Sequence, residues 1–138
     1  MGYPVQSITV DDIRLFLHVC GAMVWVGGQV VWIVLLPTLR RLGADAVGEV
    51  ARSLSPVLWG AFGVLVVTGV WNLYAVDLGA QSSAYQTTLA LKLAVVAISG
   101  GAAFIHTRVS TARARGIWSG VSGIAALGAV LLGVVLAG

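Results

Sequence analysis

Four long, mainly apolar runs, at about 13–36, 57–74, 87–105 and 117–137, leave this chain few ways to fold. Each approaches the roughly 20 residues that an α-helix needs to cross about 30 Å of hydrocarbon. Helices and closed barrels are the backbones that satisfy their own polar groups in lipid, and runs of this length and continuity fit the helix. In 138 residues, four crossings leave only short connections. Only 9% of residues are charged, against roughly 25% in a soluble domain, and mean hydropathy is +0.99, so no soluble domain is expected beside the spans. The expected architecture is all-α: one integral-membrane four-helix bundle with the lipid bilayer as its surroundings. The first run is expected to stay in the mature protein. Asp11 and Asp12 precede it where a signal peptide would be positive, and it is too long for a signal core.

The charges orient the bundle. Arg40, Arg41 and Arg52 lie between the first two runs, and Arg108, Arg113 and Arg115 between the last two. Under the positive-inside rule those connections face the cytoplasm, both termini lie outside, and the cell membrane is the expected location. The segment around 77–83 carries no Lys or Arg, as an outer loop should. This topology accounts for a pI near 9.6 without nucleic acid, since the basic residues are few and lack the interleaved aromatics of a base-stacking surface.

Helix starts have local signals. Thr9 and Asp12 form a capping box, Ser55 and Pro56 mark a first turn, and Ser83 with Gln86 forms a second box. Trp59 and Trp118 are expected at the cytoplasmic interface, and Tyr3, Trp71, Tyr74 and Tyr85 at the outer one. Helix packing in lipid depends on small residues, and Ala125, Ala129, Gly133 and Ala137 make a ridge at four-residue spacing, with Gly116 and Gly120 nearer the cytoplasm. Such faces offer contacts within the bundle, to a second copy, or to other membrane subunits. Glycine pairs at Gly27-Gly28 and Gly100-Gly101 hint at a two-helix repeat. Cys20, the single cysteine, reads as a small packing residue.

Ionisable groups inside hydrocarbon are costly and mark function, and here they are His18, Lys92 and, at a helix end, His106. His18 and Lys92 each lie about 12 Å into parallel spans at 1.5 Å per residue, so they are level. His106 lies about 21 Å deeper than Lys92 on the same rise, beside the arginine-rich loop, and reads as interfacial. The returning second helix brings Thr68, Trp71 and Asn72 near the level of His18, and Tyr85 precedes Lys92 by two turns on one face. These groups are expected to line one outward-facing pocket. On the first helix the face of His18 continues through Gly21, Ala22 and Trp25, leaving small side chains beside the imidazole and room for a flat macrocycle with His18 as its axial metal ligand. The plain alternatives are an imidazole bonded to a neighbouring helix and a lysine that snorkels to the headgroups.

The same residues carry a family resemblance. His18, Trp25, Gly27 and Gly28, followed by Pro37 and Arg40, resemble the first-helix pattern of the copper resistance protein D (CopD) family. Thr68-Gly69 and the set Tyr85, Leu89, Lys92 and Leu93 resemble the second half of that pattern, so the likeness spans nearly the whole chain. More distantly the chain is similar to the four-helix HemJ-type protoporphyrinogen oxidases, in which a first-helix histidine and a third-helix lysine are the functional pair and a b-type haem is bound. That similarity implies haem-linked roles for His18 and Lys92. It departs from the HemJ pattern where Gly27, Gly28 and Gln29 replace a phenylalanine-rich stretch and where no tryptophan precedes Lys92, so the oxidase activity itself is not carried over.

Three functional readings follow. In the first, the protein binds haem b, with His18 as axial ligand and Lys92 as second ligand or propionate partner, and has a redox role. In the second, it handles copper at the same pocket, where Cys20 and Met23 are the soft ligands near His18. In the third, it is a cofactor-free structural subunit of a larger membrane complex.

Overall fold

The computed structural model describes residues 7–138, which form four long α-helices in sequential antiparallel order. They are α1 (Val10–Leu42), α2 (Ala44–Ala75), α3 (Ser83–Arg108) and α4 (Ala112–Ala137), each long and apolar enough to cross a membrane. A short 3-10 turn, Leu78–Ala80, interrupts the connection between α2 and α3. The all-α bundle expected from the four apolar runs is therefore the observed fold. Tyr3, assigned to the outer interface, lies outside the described residues.

The helices outrun the apolar runs, most of all at the arginine-rich end. α1 has 33 residues, about 50 Å at 1.5 Å per residue, well beyond a hydrocarbon core of about 30 Å. Helical backbone continues past the point where apolar sequence stops because its own hydrogen bonds persist in water. This overturns the helix start expected at Ser55 and Pro56: α2 begins at Ala44, and both Pro56 and Pro37 of α1 lie inside helices. Each proline removes one backbone hydrogen bond, a loss that neighbouring groups in a bundle offset. Only Gly43 separates α1 from α2. Its φ of 121° and ψ of 166° belong to a region open to glycine alone, and its N–H donates to the Leu39 carbonyl.

Capping at the opposite end is mixed. The Thr9–Asp12 box is present, with the Asp12 carboxylate accepting from the Thr9 N–H at 2.8 Å and the Asp12 N–H donating to Thr9 Oγ1 at 3.2 Å. The Ser83–Gln86 box is replaced. Ser82 caps α3 by accepting from the Tyr85 N–H, and Gln86 Nε2 instead donates to the Leu78 and Gln81 carbonyls, tying the 3-10 turn to α3. Gln86 is free to do so because the turn places those carbonyls above the first turn of α3, a contact that local sequence does not announce. Thr111 caps α4 through the Ala114 N–H.

α1 packs along α2 and α3 along α4, as short connections dictate, and the two hairpins meet chiefly between α1 and α4. The interior is small-residue and polar, because lipid tails supply no hydrophobic contrast and close backbone approach must do the work. Gly21, Thr68, Ser99, Gly100, Ala102, Ser122 and Ala126 are buried. On α4 the buried ridge is thus Ser122 and Ala126, displaced from the expected Ala125–Ala129 line, and Gly116 and Gly120 face no neighbour. Ser99 and Ser122 clasp α3 to α4: each hydroxyl donates to the other residue's carbonyl, at 3.0 and 2.9 Å. Trp25, 4% exposed, joins α1 to this clasp by donating its indole N–H to Ser99 Oγ at 3.1 Å. Its ring packs on Phe62 at 4.7 Å and Trp59 at 5.8 Å between centroids. Trp59, expected near the start of the second helix, lies half-buried well inside α2, which begins at Ala44.

Candidate functional site

His18 and Thr68 form the best-defined polar pair between α1 and α2. Thr68 is 3% exposed, and its single hydroxyl proton goes to the Val64 carbonyl of its own helix at 2.6 Å. That leaves Thr68 Oγ1 only its lone pairs for His18 Nδ1 at 2.8 Å, so Nδ1 carries the imidazole proton. In the neutral ring, Nε2 is then unprotonated and bears a free lone pair. This is how proteins prepare a histidine to bind a metal: a second partner holds one nitrogen and presents the other. The imidazole edge lies over Gly69, where an added methyl group would stand 3.6 Å from Cε1.

The other expected pocket residues are placed as follows. Gly21 is buried against α2, where an added methyl would stand 3.1 Å from both the Ala61 carbonyl oxygen and Leu65 Cγ, so that strip of α1 is filled by a helix. Trp25 is committed to the aromatic cluster and to Ser99. Ala22, Asn72 and Tyr85 are half-buried, and Trp71 is exposed, facing outward from α2. Lys92 is half-buried on α3 and leans on α4, its Nζ 3.2 Å from where a methyl at Gly133 would sit. No hydrogen bond joins Lys92 to His18 among the described residues; the Lys92 contact that the structure shows is with α4 at Gly133.

A cavity of about 180 Å3 lies in the other half of the bundle, toward the arginine-rich connections. All four helices line it, including Trp25, Gln29 and Trp32 of α1, Trp59 of α2, His106 of α3 and Ser122 of α4. His106 was expected to be interfacial, beside the arginine-rich connection. It is half-buried, and its Nδ1 donates to the Arg115 carbonyl at 2.9 Å, since a carbonyl only accepts. Gln29 contributes an amide nitrogen that is buried without a hydrogen-bond partner, with its oxygen side over Gly123.

Reading only ionisable groups missed this second site. A signal was present: Trp25, Gln29 and Trp32 fall at i, i+4 and i+7, one stripe of one helix. Among the described residues, no three His, Cys, Asp or Glu side chains converge on a point that could hold a metal ion. No family model, curated protein or solved structure matches the chain.

Proposed function

We propose that this chain is a CopD-like multi-pass protein of the cell membrane that holds a haem b, with His18 as an axial ligand. The observation that carries the reading is the relay His18 Nδ1–H to Thr68 to Val64 carbonyl, which spends one imidazole nitrogen and leaves Nε2 available. The donor set fits a haem better than copper. A haem requires one or two axial ligands, whereas a copper site built from side chains needs a convergent group of imidazole or sulfur ligands.

A bound haem would supply one-electron redox chemistry. The chain's own residues have separable tasks: Thr68 would hold the imidazole in one tautomer, and Lys92 would be the cation for an anionic substituent.

The same hydrogen bond favours a second reading, in which His18 is a tether between α1 and α2 in a cofactor-free subunit. Absorption spectra of detergent-purified protein from haem-replete cells separate the two. Haem binding gives a Soret band, with α and β bands on dithionite reduction, that His18→Ala abolishes and His106→Ala retains. Colourless wild-type protein leaves the tether reading standing and ends the haem one.

A further inference from the structure

The arginines that orient the bundle fall into two tiers, which differ in depth and in charge balance. Depth is counted from the level at which all four helices touch. There Trp25 of α1 donates to Ser99 of α3, Ser99 and Ser122 clasp α3 to α4, and Phe62 of α2 packs on Trp25. At 1.5 Å per residue, Arg52, Arg108, Arg113 and Arg115 all lie about 11–15 Å from that level, whereas Arg40 and Arg41 lie about 22–24 Å from it. The α1–α2 hairpin therefore projects about 10 Å past the α3–α4 hairpin at this end. In the other direction the helices run about 20–24 Å from the same level. The first tier and the far helix ends are thus about 35 Å apart, and a hydrocarbon core of about 30 Å fits between them. The first tier sits among lipid headgroups, and the second stands beyond them in water.

Carboxylates accompany only the second tier. Asp45 and Glu49 lie about 20–26 Å from the reference level, at the depth of Arg40 and Arg41, and Asp11, Asp12 and Asp77 belong to the opposite end. The first tier is four positive charges with no carboxylate at its depth, and none of the four is in a salt bridge among the described residues. All four are exposed. Three are nonetheless held, by neutral groups that leave their charge whole. Arg52 Nε donates to the Gly48 carbonyl at 3.3 Å, an Arg115 terminal nitrogen donates to the Ser110 carbonyl at 3.0 Å, and the Arg108 guanidinium lies 4.6 Å from the centre of the Phe104 ring. Each keeps further N–H groups free in the planar fork that matches a phosphate, and each has already lost part of the side-chain freedom that binding would remove.

We infer that the first tier binds anionic phospholipid headgroups of the leaflet at the arginine-rich end, with Arg108, Arg113 and Arg115 around the α3–α4 connection and Arg52 on α2 donating to their oxygens. Depth selects lipid over a soluble acidic partner, which would meet the second tier first. Net charge selects an anionic lipid over a zwitterionic one, whose ammonium the arginines repel. Each cation near an anionic lipid surface contributes about fivefold in affinity.

The test is native mass spectrometry of the full chain, released from detergent micelles that contain phosphatidylglycerol and phosphatidylcholine of identical acyl chains in equal amounts. Bound phosphatidylglycerol should exceed bound phosphatidylcholine by at least tenfold. Arg52→Gln, Arg108→Gln, Arg113→Gln and Arg115→Gln should each lower that ratio about fivefold, and Arg40→Gln and Arg41→Gln should leave it within about twofold. Arg113 makes no hydrogen bond or ion pair among the described residues, so Arg113→Gln should keep the melting temperature of lipid-free protein while losing lipid preference, which separates lost binding from lost fold. Water-soluble glycerol phosphate, added at the concentration of the lipid, should not displace it. His18→Ala should change none of these readouts, so the haem reading and this one fail separately. Equal binding of the two lipids, an equal loss in the second-tier variants, or displacement by glycerol phosphate overturns the assignment, the second of these pointing instead to a surface for a soluble acidic partner.

Discussion

Gly28 and Gly100 differ from their neighbours Gly27 and Gly101 only in what lies across from them. Leu58 of α2 reaches into the space a Cβ would take at Gly28, and the Phe62 ring does so at Gly100, whereas Gly27 and Gly101 face nothing within 4 Å. Each glycine pair in the sequence thus contains one residue that receives an α2 side chain and one that does not. The consequences for substitution are opposite. Gly100→Ala should destabilise the bundle by about 1–3 kcal/mol, because Phe62 is held against Trp25 and has little freedom to retreat. Gly28→Ala should cost less, since the end of a leucine side chain can turn aside. Gly27→Ala and Gly101→Ala should be neutral or stabilising by up to about 1 kcal/mol, the helix-propensity difference. Thermal unfolding of the four variants in one detergent checks the order, and equal effects at Gly100 and Gly101 would contradict the packing described. The glycine pairs were visible in the sequence. Which member of each pair mattered was not, because that depends on rotation about the helix axis, and both members sit on nearly adjacent faces.

Among the elements, the α1–α2 junction is the sharpest. One residue reverses the chain between helices of 33 and 32 residues, and it does so in backbone space that side chains resist. Gly43→Ala should therefore cost about 1–3 kcal/mol, whereas Gly48→Ala, inside α2 and facing open space, should be neutral or stabilising. Chemical or thermal denaturation of the two variants side by side tests this, and a Gly43→Ala protein as stable as the parent would show that the junction relaxes freely. Hydropathy placed a loop of some twenty residues here, since it registers where apolar sequence ends. Helices end where caps or positive-φ glycines end them, and the stretch from Ala44 to Pro56 stays helical through both Gly48 and Pro56.

At the scale of the molecule, the charge asymmetry predicts orientation. With Cys20 replaced by serine, a cysteine introduced at Gly79 should react with a membrane-impermeant maleimide on intact cells or spheroplasts, and one at Ser110 should react only after lysis. The reverse pattern would turn the bundle over and place the tryptophan-lined cavity toward the outer face. Fold class, helix number and antiparallel order were determined by the sequence alone, because they follow from hydrocarbon thickness, a fixed rise per residue and the cost of exposed backbone in lipid. Tertiary structure alone decided that Thr68 sets the tautomer of His18, that Lys92 leans on Gly133, and that Gln29 is left unpartnered beside His106. Those outcomes depend on the azimuth of each helix and on how closely small residues let neighbours approach. A chain that is apolar all round carries little amphipathic signal to set either, so only the packed bundle resolves them.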